Sequence, residues 1–217
     1  MLREIQARKA LADCGRRLAA QGHMPATAGN ISVRLDGRRV LITPTAAAKA
    51  ALRPQDLVLV DMAGRVLKGD FKPTSELGLH LAAYRLRPDV RAVVHAHPPA
   101  ATAFACAGVP LPKDLAGEIV IALKDVPLVR FFLPGSALSG SEMPADLEKA
   151  LRTREAALLA HHGALCLGKD LEEAAQRMEL LEHSAWVCLA ARLIGVRSRL
   201  SPAQLSALCV LSARYGK

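Results

Sequence analysis

The residues best suited to chemistry are two histidines, His95 and His97, that stand two positions apart in an apolar segment. Residues 92–96 are apolar and rich in β-branched side chains, which predicts a β-strand. Because residues i and i+2 of a strand point to the same face, both imidazoles project side by side from a rigid element. That arrangement suits two ligands of one metal ion, although two partly exposed strand residues would show the same spacing.

A second histidine cluster supplies a candidate third ligand. His161 and His162 lie at the end of an apolar run and directly precede Gly163. Side chains alternate along a strand, so only one of these two histidines can share a face with a given neighbour. The glycine lets backbone or substrate approach closely. Three protein ligands with a fourth position open are typical of catalytic zinc, whereas structural zinc has four protein ligands.

Polar residues elsewhere suit acid–base chemistry and anion binding. Glu76 ends residues 72–76 (KPTSE) at the start of a predicted helix. A general acid/base beside a metal and a simple favourable interaction with the helix dipole both explain a glutamate there. Thr74, Ser75 and the free amides of the helix start could bind phosphate. Two turns add further hydroxyls, an amide and backbone donors, at Thr27, Gly29, Asn30, Thr43 and Thr45.

Composition narrows the class of protein. The 217 residues are 51% hydrophobic and 23% charged, which is typical of a globular chain. The net charge of +9 comes from scattered basic residues and aromatic residues are only 3%, so an enzyme with an anionic substrate is favoured over a nucleic-acid-binding protein. No apolar run approaches the roughly 18 residues of a membrane span. The five cysteines are odd in number and form no CxxC pair, which predicts a reducing cytoplasm.

Periodicity and turn residues predict the elements that position these groups. Helices are expected at residues 2–20, from a cap at Thr74 or Ser75 to about Leu86, at 100–107, 144–151 and 171–194, and from Ser201-Pro202 onward. Asp170 is the expected N-cap of the helix over 171–194, and Gly195 its stop. Strands are expected within residues 26–35 and at 39–43, 57–61, 65–67, 92–96, 118–122, 126–132 and 156–167. One or two helical turns are expected in residues 45–52. This order predicts one domain over residues 1–217, with a sheet covered by helices.

Five segments, taken together, resemble the class II aldolase/adducin-head family, most closely its bacterial L-fuculose-1-phosphate aldolase type. They are residues 27–32 (TAGNIS), 41–45 (LITPT), 72–76 (KPTSE), 92–97 (AVVHAH) and 161–163 (HHG). Their order and spacing agree with the family over roughly residues 5 to 195. The resemblance implies a single-domain α/β/α layered fold, with a central, largely antiparallel or mixed sheet flanked by helices.

The resemblance also implies roles for individual residues. One Zn²⁺ per subunit would be bound by His95, His97 and His162, with His161 facing elsewhere. Glu76 would be the catalytic glutamate. Tyr215, followed by Gly216 near the end of the chain, would reach the active site of a neighbouring subunit in a homotetramer. The implied phosphate pocket consists of Thr27, Asn30, Thr43, Thr74 and Ser75.

Two departures from the family pattern bear on the substrate. The turn glycine of the family's TPTG is Ala46 here, and alanine holds a positive φ less readily, which counts against phosphate binding at that turn. The family aldolase has a second active-site tyrosine after the HxH pair, whereas residues 111–123 contain none. That difference counts against strict specificity for L-fuculose 1-phosphate.

The expected reaction is zinc-dependent cleavage of a ketose 1-phosphate to dihydroxyacetone phosphate and an aldehyde. Zinc would act as a Lewis acid while Glu76, or a second acid/base, moves a proton. A sugar-phosphate 4-epimerase and a methylthioribulose-1-phosphate dehydratase of the same family are alternatives, which a product assay separates. A non-catalytic, adducin-like interaction domain would be expected to lack the histidine triad or the glutamate. A protein whose histidines are all core residues would contain no zinc.

Overall fold

The computed structural model describes residues 4–136, 138 and 143–215. Residues 214 and 215 are described by their backbone alone. Six α-helices lie in this part of the chain: α1 (Glu4–Ala20), α2 (Leu77–Leu86), α3 (Pro99–Cys106), α4 (Ala145–Thr153), α5 (Leu171–Ile194) and α6 (Pro202–Tyr215). Eight strands form one sheet: β1 (Asn30–Arg34), β2 (Arg39–Ile42), β3 (Val58–Asp61), β4 (Val66–Lys68), β5 (Ala92–Ala96), β6 (Leu128–Val129), β7 (Ala156–Leu159) and β8 (Gly163–Gly168).

The sheet is antiparallel except at one edge. Its strand order is β4-β3-β2-β1-β5-β8-β7-β6, and only the β6–β7 pair is parallel. Strand β5 therefore lies near the middle, between β1 and β8. The expected mixed α/β fold, with one sheet flanked by helices, is confirmed.

Helices cover both faces of the sheet, and side-chain alternation along each strand supplies a core to each face. On β5, Val94 and Ala96 belong to a core that includes Leu11 of α1 and Met178 of α5. Val93 belongs to the opposite core, which α2 and α4 complete. Alternation therefore directs His95 toward the α2 face.

Several predicted element ends are confirmed at the residue level. Strand β5 has the predicted bounds, and α5 begins and ends as predicted. The Asp170 side chain accepts the N–H of Glu173, and Gly195 follows the helix with φ +96°. Ser201 and Gln204 bond reciprocally at the start of α6, side chain to backbone in both directions. The chain near residue 49 forms one short 3₁₀ turn, Lys49–Ala51.

Three predicted features were wrong. Residues 118–122 form no strand: Ile119–Leu123 is a π-helical turn, since a short apolar run has no period that separates strand from helix. The run over 156–167 is two strands, β7 and β8, because residues 160–162 form a tight turn between them. Neither Thr74 nor Ser75 is the N-cap of α2. Glu76 occupies that position, and its N–H is bonded to Thr74 Oγ1 at 3.3 Å.

Candidate metal centre

The pairing of β5 with β8 brings the three candidate ligands to one place. Ala96 lies opposite Ala164 in this antiparallel pair, so the end of β5 faces the start of β8. His95 lies in β5, His97 directly follows it, and His162 directly precedes β8. The backbone N–H of His97 is anchored on the His23 carbonyl at 2.9 Å, and that of His162 on the Leu159 carbonyl at 3.0 Å.

The three imidazoles present their Nε2 atoms to one another. His95 Nε2 lies 3.2 Å from His97 Nε2 and 3.3 Å from His162 Nε2. Two atoms that each lie about 2.0–2.1 Å from a tetrahedral zinc are themselves about 3.4 Å apart. The spacing therefore fits a zinc ion between the three nitrogens, and in the described part of the chain these three residues form a group that could hold a metal ion.

The surroundings favour the ligating form of each ring. His95 is fully buried, and its Nδ1 bonds the Ala164 carbonyl at 2.9 Å, which places the proton on Nδ1 and leaves the Nε2 lone pair free. Burial and the neighbouring imidazoles lower the pKa of His97 to about 4. Burial likewise lowers the pKa of His162, so both rings are neutral near pH 7.

The adjacent His161 takes no part in this cluster. It is exposed and lies edge-on to Phe131, with ring centroids 6.5 Å apart. Its φ of +57° turns the chain sharply between β7 and β8. This reversal, and not alternation along a strand, separates the directions of the two neighbouring side chains.

Gly163 is required by the close approach of the two strands. A Cβ at this position would lie 2.5 Å from the Ala96 carbonyl oxygen and 2.8 Å from Cδ2 of the His97 ring. Real Cβ atoms do not approach backbone oxygens so closely. A side chain here would push β8 away from β5 and move His97.

Glu76 closes the site from the start of α2. Its Oε2 lies 3.1 Å from His95 Nε2, and its Oε1 lies 3.4 Å from His162 Nε2. Burial alone would raise the pKa of this carboxyl, but the hydrogen bond from Asn30 and the contacts with the His95 and His162 rings hold it well below its ordinary value. The carboxylate is therefore ionised beside the three imidazoles.

A buried chain of hydrogen bonds extends from Glu76 into the core. Asn30, opposite His95 in the β1–β5 register, donates from Nδ2 to Glu76 Oε2 at 2.8 Å. Asn30 Oδ1 then faces His80 Nε2 at 2.5 Å. Ser32 Oγ lies 2.7 Å from both His80 Nδ1 and the Tyr84 hydroxyl.

Only one arrangement of protons satisfies this chain. Since Asn30 uses its amide hydrogens on Glu76, its oxygen accepts from His80 Nε2–H. His80 Nδ1 then accepts from Ser32, and Ser32 accepts from Tyr84. Burial lowers the pKa of His80 to about 3, consistent with a neutral ring. The chain fixes the orientation of the Asn30 amide and, through it, of the Glu76 carboxylate.

The residues expected to bind phosphate lie in three segments: residues 27–30, the turn at 43–45 and the start of α2. The Thr43 carbonyl accepts the Thr74 N–H at 3.1 Å, which joins the turn at 43–45 to the start of α2. The Thr43 hydroxyl accepts the Ile31 N–H, and the Asn30 amide is bonded to Glu76. Thr27 and Ser75 are exposed. Ala46, at the family's glycine position, does adopt a positive φ, +53°.

Helix α6 connects two features that the sequence singled out, Tyr215 and the tyrosine-free segment at 111–123. Tyr215 ends α6, but its side chain lies outside the described part of the structure. The tyrosine-free segment at 111–123 contains the π-helical turn, against which α6 packs. Ser212 of α6 donates to the Ile121 carbonyl at 2.6 Å.

Sequence reasoning missed Lys49, His80 and Tyr84. Lys49 is almost fully buried, and its only signal is a lone lysine within the apolar run 46–52. His80 and Tyr84 share a face of α2 at i and i+4, a spacing that is visible in the sequence. Their partners on β1 depend on how α2 packs against the sheet, which the sequence did not specify.

The chain is similar in sequence and structure to known proteins of one family. Residues 9–189 match the family model described as the class II aldolase and adducin N-terminal domain. A 5-methylthioribulose-1-phosphate/5-deoxyribulose-1-phosphate aldolase of Rhodospirillum rubrum is 38% identical over 188 residues, covering 85% of this chain and 82% of the relative. A 3-oxo-tetronate 4-phosphate decarboxylase of Haemophilus influenzae is 33% identical over 186 residues, covering 84% and 86%. A solved L-fuculose 1-phosphate aldolase superposes with a TM-score of 0.84 at 29% identity, covering 97% of this chain and 96% of that one.

Proposed function

Because the chain belongs to the class II aldolase and adducin N-terminal domain family, we propose that it is a metal-dependent lyase that cleaves a carbon–carbon bond of a phosphorylated sugar. His95, His97 and His162 would hold one Zn²⁺ per subunit. The observation that carries the proposal is the convergence of three Nε2 atoms with the ionised Glu76 at zinc-like spacing.

The chemistry divides between the metal and Glu76. Bound zinc supplies a Lewis acid for a substrate carbonyl. In aldol cleavage of a ketose 1-phosphate, the C4 hydroxyl loses its proton as the C3–C4 bond breaks, and the aldehyde departs. The electron pair left on C3 must then be protonated to give dihydroxyacetone phosphate. We assign both proton transfers to Glu76: the ionised carboxylate accepts the C4 hydroxyl proton and delivers it to C3. Tyr215, acting from a neighbouring subunit, is a second catalytic candidate.

Substrate binding would use the segments beside the metal centre. We propose Thr27, Asn30, Thr43, Thr74 and Ser75 as the phosphate pocket. The substrates named for the two curated relatives are phosphate esters, which supports a small-molecule sugar phosphate as partner. We propose that the protein is a cytoplasmic homotetramer that binds neither nucleic acid nor membranes. No helix within the described residues has the length and apolar character to span a membrane.

A decarboxylase is the second candidate, and the Haemophilus influenzae relative favours it. Loss of CO₂ from a 3-oxo acid also leaves an electron pair on the carbon next to a carbonyl. The same ligands and the same proton carrier would serve, and only the leaving group would differ. This candidate was not among the alternatives that the sequence suggested.

Product analysis with and without a chelator tests the proposal. A panel of ketose 1-phosphates and 3-oxo-tetronate 4-phosphates is assayed for the released aldehyde and for CO₂, because dihydroxyacetone phosphate forms in both reactions. Zinc per subunit is measured by elemental analysis. We expect one product to form only in the metal-loaded protein. A metal-free preparation that turns over at the same rate would refute the metal dependence.

Two adjacent substitutions provide a matched comparison. His162→Gln is expected to lose metal and activity because Nε2 of His162 faces His95. His161→Gln should retain both, since this side chain is exposed and lies against Phe131. Equal effects of the two substitutions would contradict the assignment of the third ligand.

A further inference from the structure

Lys49 is a buried cation beside the candidate site. It begins the short 3₁₀ turn Lys49–Ala51, and the residue is 1% exposed. Its Nζ donates to the Thr27 carbonyl at 2.6 Å and to the Ala47 carbonyl at 2.9 Å. One ammonium group therefore joins the loop before β1 to the loop after β2.

Lys49 has no direct counter-ion among the residues that the structure describes. Among the ion pairs of the described residues, none includes its ammonium group, and both of its hydrogen-bond partners are neutral carbonyls. Burial lowers the pKa of Lys49 to about 8, although the charge of Glu76 opposes the shift. A buried charge without a partner is costly. The surrounding fold thus holds a positive charge that is uncompensated by any carboxylate in contact with it.

The Lys49 charge lies close to the candidate metal centre and to the loops proposed to bind phosphate. The ammonium interacts electrostatically with the Glu76 carboxylate and with the His97 ring. The two carbonyls that it binds belong to the segments that carry Thr27 and the turn at Ala46. Each segment also contains a residue with a left-handed backbone, Ala26 with φ +49° and Ala46 with φ +53°. Lys49 holds these two bends against each other.

We propose that Lys49 is a positioning residue for a phosphate dianion: it clamps the two loops that form the anion pocket and supplies the positive charge that the bound dianion compensates. This inference rests on the proposed function, because the dianion is the phosphate group of the substrate. A charge acts across a buried region over several ångströms, so Lys49 need not touch the phosphate. An exposed lysine, screened by water and salt, would contribute far less.

Inorganic phosphate is the probe that tests this proposal without any substrate. Its dissociation constant is measured by titration calorimetry on chelator-treated protein, so that phosphate has no metal to bind. Lys49→Met removes the charge and both donors at nearly constant side-chain length, and we expect phosphate affinity to fall by about tenfold or more. Lys149→Met is the matched control, since it removes the same charge from an exposed position of α4 and should leave phosphate affinity unchanged.

A second variant and a second measurement cover the case in which Lys49→Met does not fold. Lys49→Gln keeps a donor for a carbonyl and lacks the charge, so it should fold and still bind phosphate weakly. In the active enzyme we expect Lys49→Gln to raise KM for the phosphorylated substrate while kcat and zinc content change little. A purely structural role would instead alter stability and leave phosphate affinity unchanged.

The outcomes separate this proposal from the proposed function. Wild-type phosphate affinity in a folded Lys49→Gln protein, or no phosphate binding by the wild-type protein, overturns the assignment of Lys49. Phosphate binding that depends on Lys49, in a protein that cleaves none of the tested sugar phosphates, supports the assignment and refutes the lyase proposal. Metal-dependent cleavage with an unchanged KM in Lys49→Gln supports the lyase proposal and refutes the assignment of Lys49.

Discussion

The Glu76 carboxylate lies between the histidine cluster and a buried polar chain, and its two oxygens have different neighbours. Oε2 contacts His95 and accepts from Asn30, whereas Oε1 faces His162. Replacing it by glutamine preserves the shape but removes the ability to carry a proton. We expect Glu76→Gln to lower kcat by about 10²–10⁴-fold while zinc remains bound.

Steady-state assays paired with elemental analysis test this expectation for Glu76. Glu118→Gln serves as the control, because Glu118 is exposed and lies just before the π-helical turn. A metal-replete Glu76→Gln protein with the parent rate would rule out Glu76 as the proton carrier.

The neutral His80 makes stability depend on pH. In the unfolded chain this residue takes up a proton near pH 6.5, whereas in the folded protein it resists protonation down to about pH 3. Between these values the unfolded state binds more protons, so the free energy of unfolding decreases as the pH falls. His80 contributes at most about 1.4 kcal/mol of this loss per pH unit.

Urea unfolding of the metal-free protein, above and within this pH window, measures the effect. His80→Gln should show a shallower dependence of unfolding free energy on pH than the wild-type protein does. Identical slopes would mean that His80 is already protonated in the fold.

For individual residues, the sequence predicted the relations that depend on spacing within a single element. The shared face of His95 and His97 follows from their spacing in a strand. The bond from Asn30 to Glu76 joins β1 to the N-cap of α2, so it depends on how this helix packs against the sheet and was not predictable from the sequence. The burial of Lys49 likewise depends on two loops that approach only in the folded chain.

Among the elements, the β5–β8 pair determines the ligand geometry. Gly163→Ala would place a Cβ 2.5 Å from the Ala96 carbonyl oxygen and 2.8 Å from the His97 ring. We expect zinc affinity to fall by about 10–100-fold, comparable to the loss of an outer-shell partner of a metal ligand. Competition with a chromophoric chelator measures this.

A glycine in an open turn provides the comparison for Gly163. Gly37→Ala introduces a Cβ with no heavy atom within 4 Å, so zinc affinity should not change. If Gly163→Ala binds zinc as tightly as Gly37→Ala does, close approach of the strands is not what places His97.

Helix α3 is held by a carboxylate from α5. Glu182 is buried, and its two oxygens accept the N–H groups of Ala100 and Ala101, each at 2.9 Å. Pro98, at the N-cap position, makes no side-chain cap. Glu182→Gln would turn an amide donor toward one of these donors, and we expect a loss of about 1–3 kcal/mol in unfolding free energy.

Thermal or urea unfolding tests the role of Glu182, with Glu172→Gln as a control on the same helix. Glu172 is exposed and forms a surface pair with Arg17, so its loss should cost less than about 1 kcal/mol. Equal losses would show that Glu182 adds nothing beyond an ordinary surface contact.

Element prediction failed where chain direction changes within an apolar run. Residues 156–167 read as one strand because no glycine or proline interrupts them before Gly163, and the reversal depends on the positive φ of His161. Residues 119–123 are apolar and β-branched, yet they form a π-helical turn against which α6 packs. Tertiary packing overrode local propensity at both places.

For the whole molecule, a metal bound between β5 and β8 would stabilise the fold. A ligand present at 1,000 times its dissociation constant adds about 4 kcal/mol, and for a chain of this size each kcal/mol shifts Tm by about 2–4 °C. Chelation is therefore expected to lower Tm by about 10 °C. Scanning calorimetry of His161→Gln should show the same shift, and that of His162→Gln should show little or none.

The architecture and family were predictable because several motifs agreed in order and spacing across the chain. The substrate was not, since relatives with similar identity act as aldolase and as decarboxylase. What separates their reactions is the leaving group, and the shared motifs do not specify it.

All hydrogen bonds in the chain from Tyr84 to Glu76 have one arrangement of donors and acceptors, and the Nε2 proton of His80 within it has no access to water. His80 and Ser32 are both fully buried, so this proton exchanges with solvent only when the protein opens locally. In a proton NMR spectrum it would persist as a slowly exchanging imidazole resonance. Its chemical shift would follow the charge on Glu76 through the single intervening amide of Asn30. This imidazole resonance would therefore report the charge state of the candidate metal centre without any added probe.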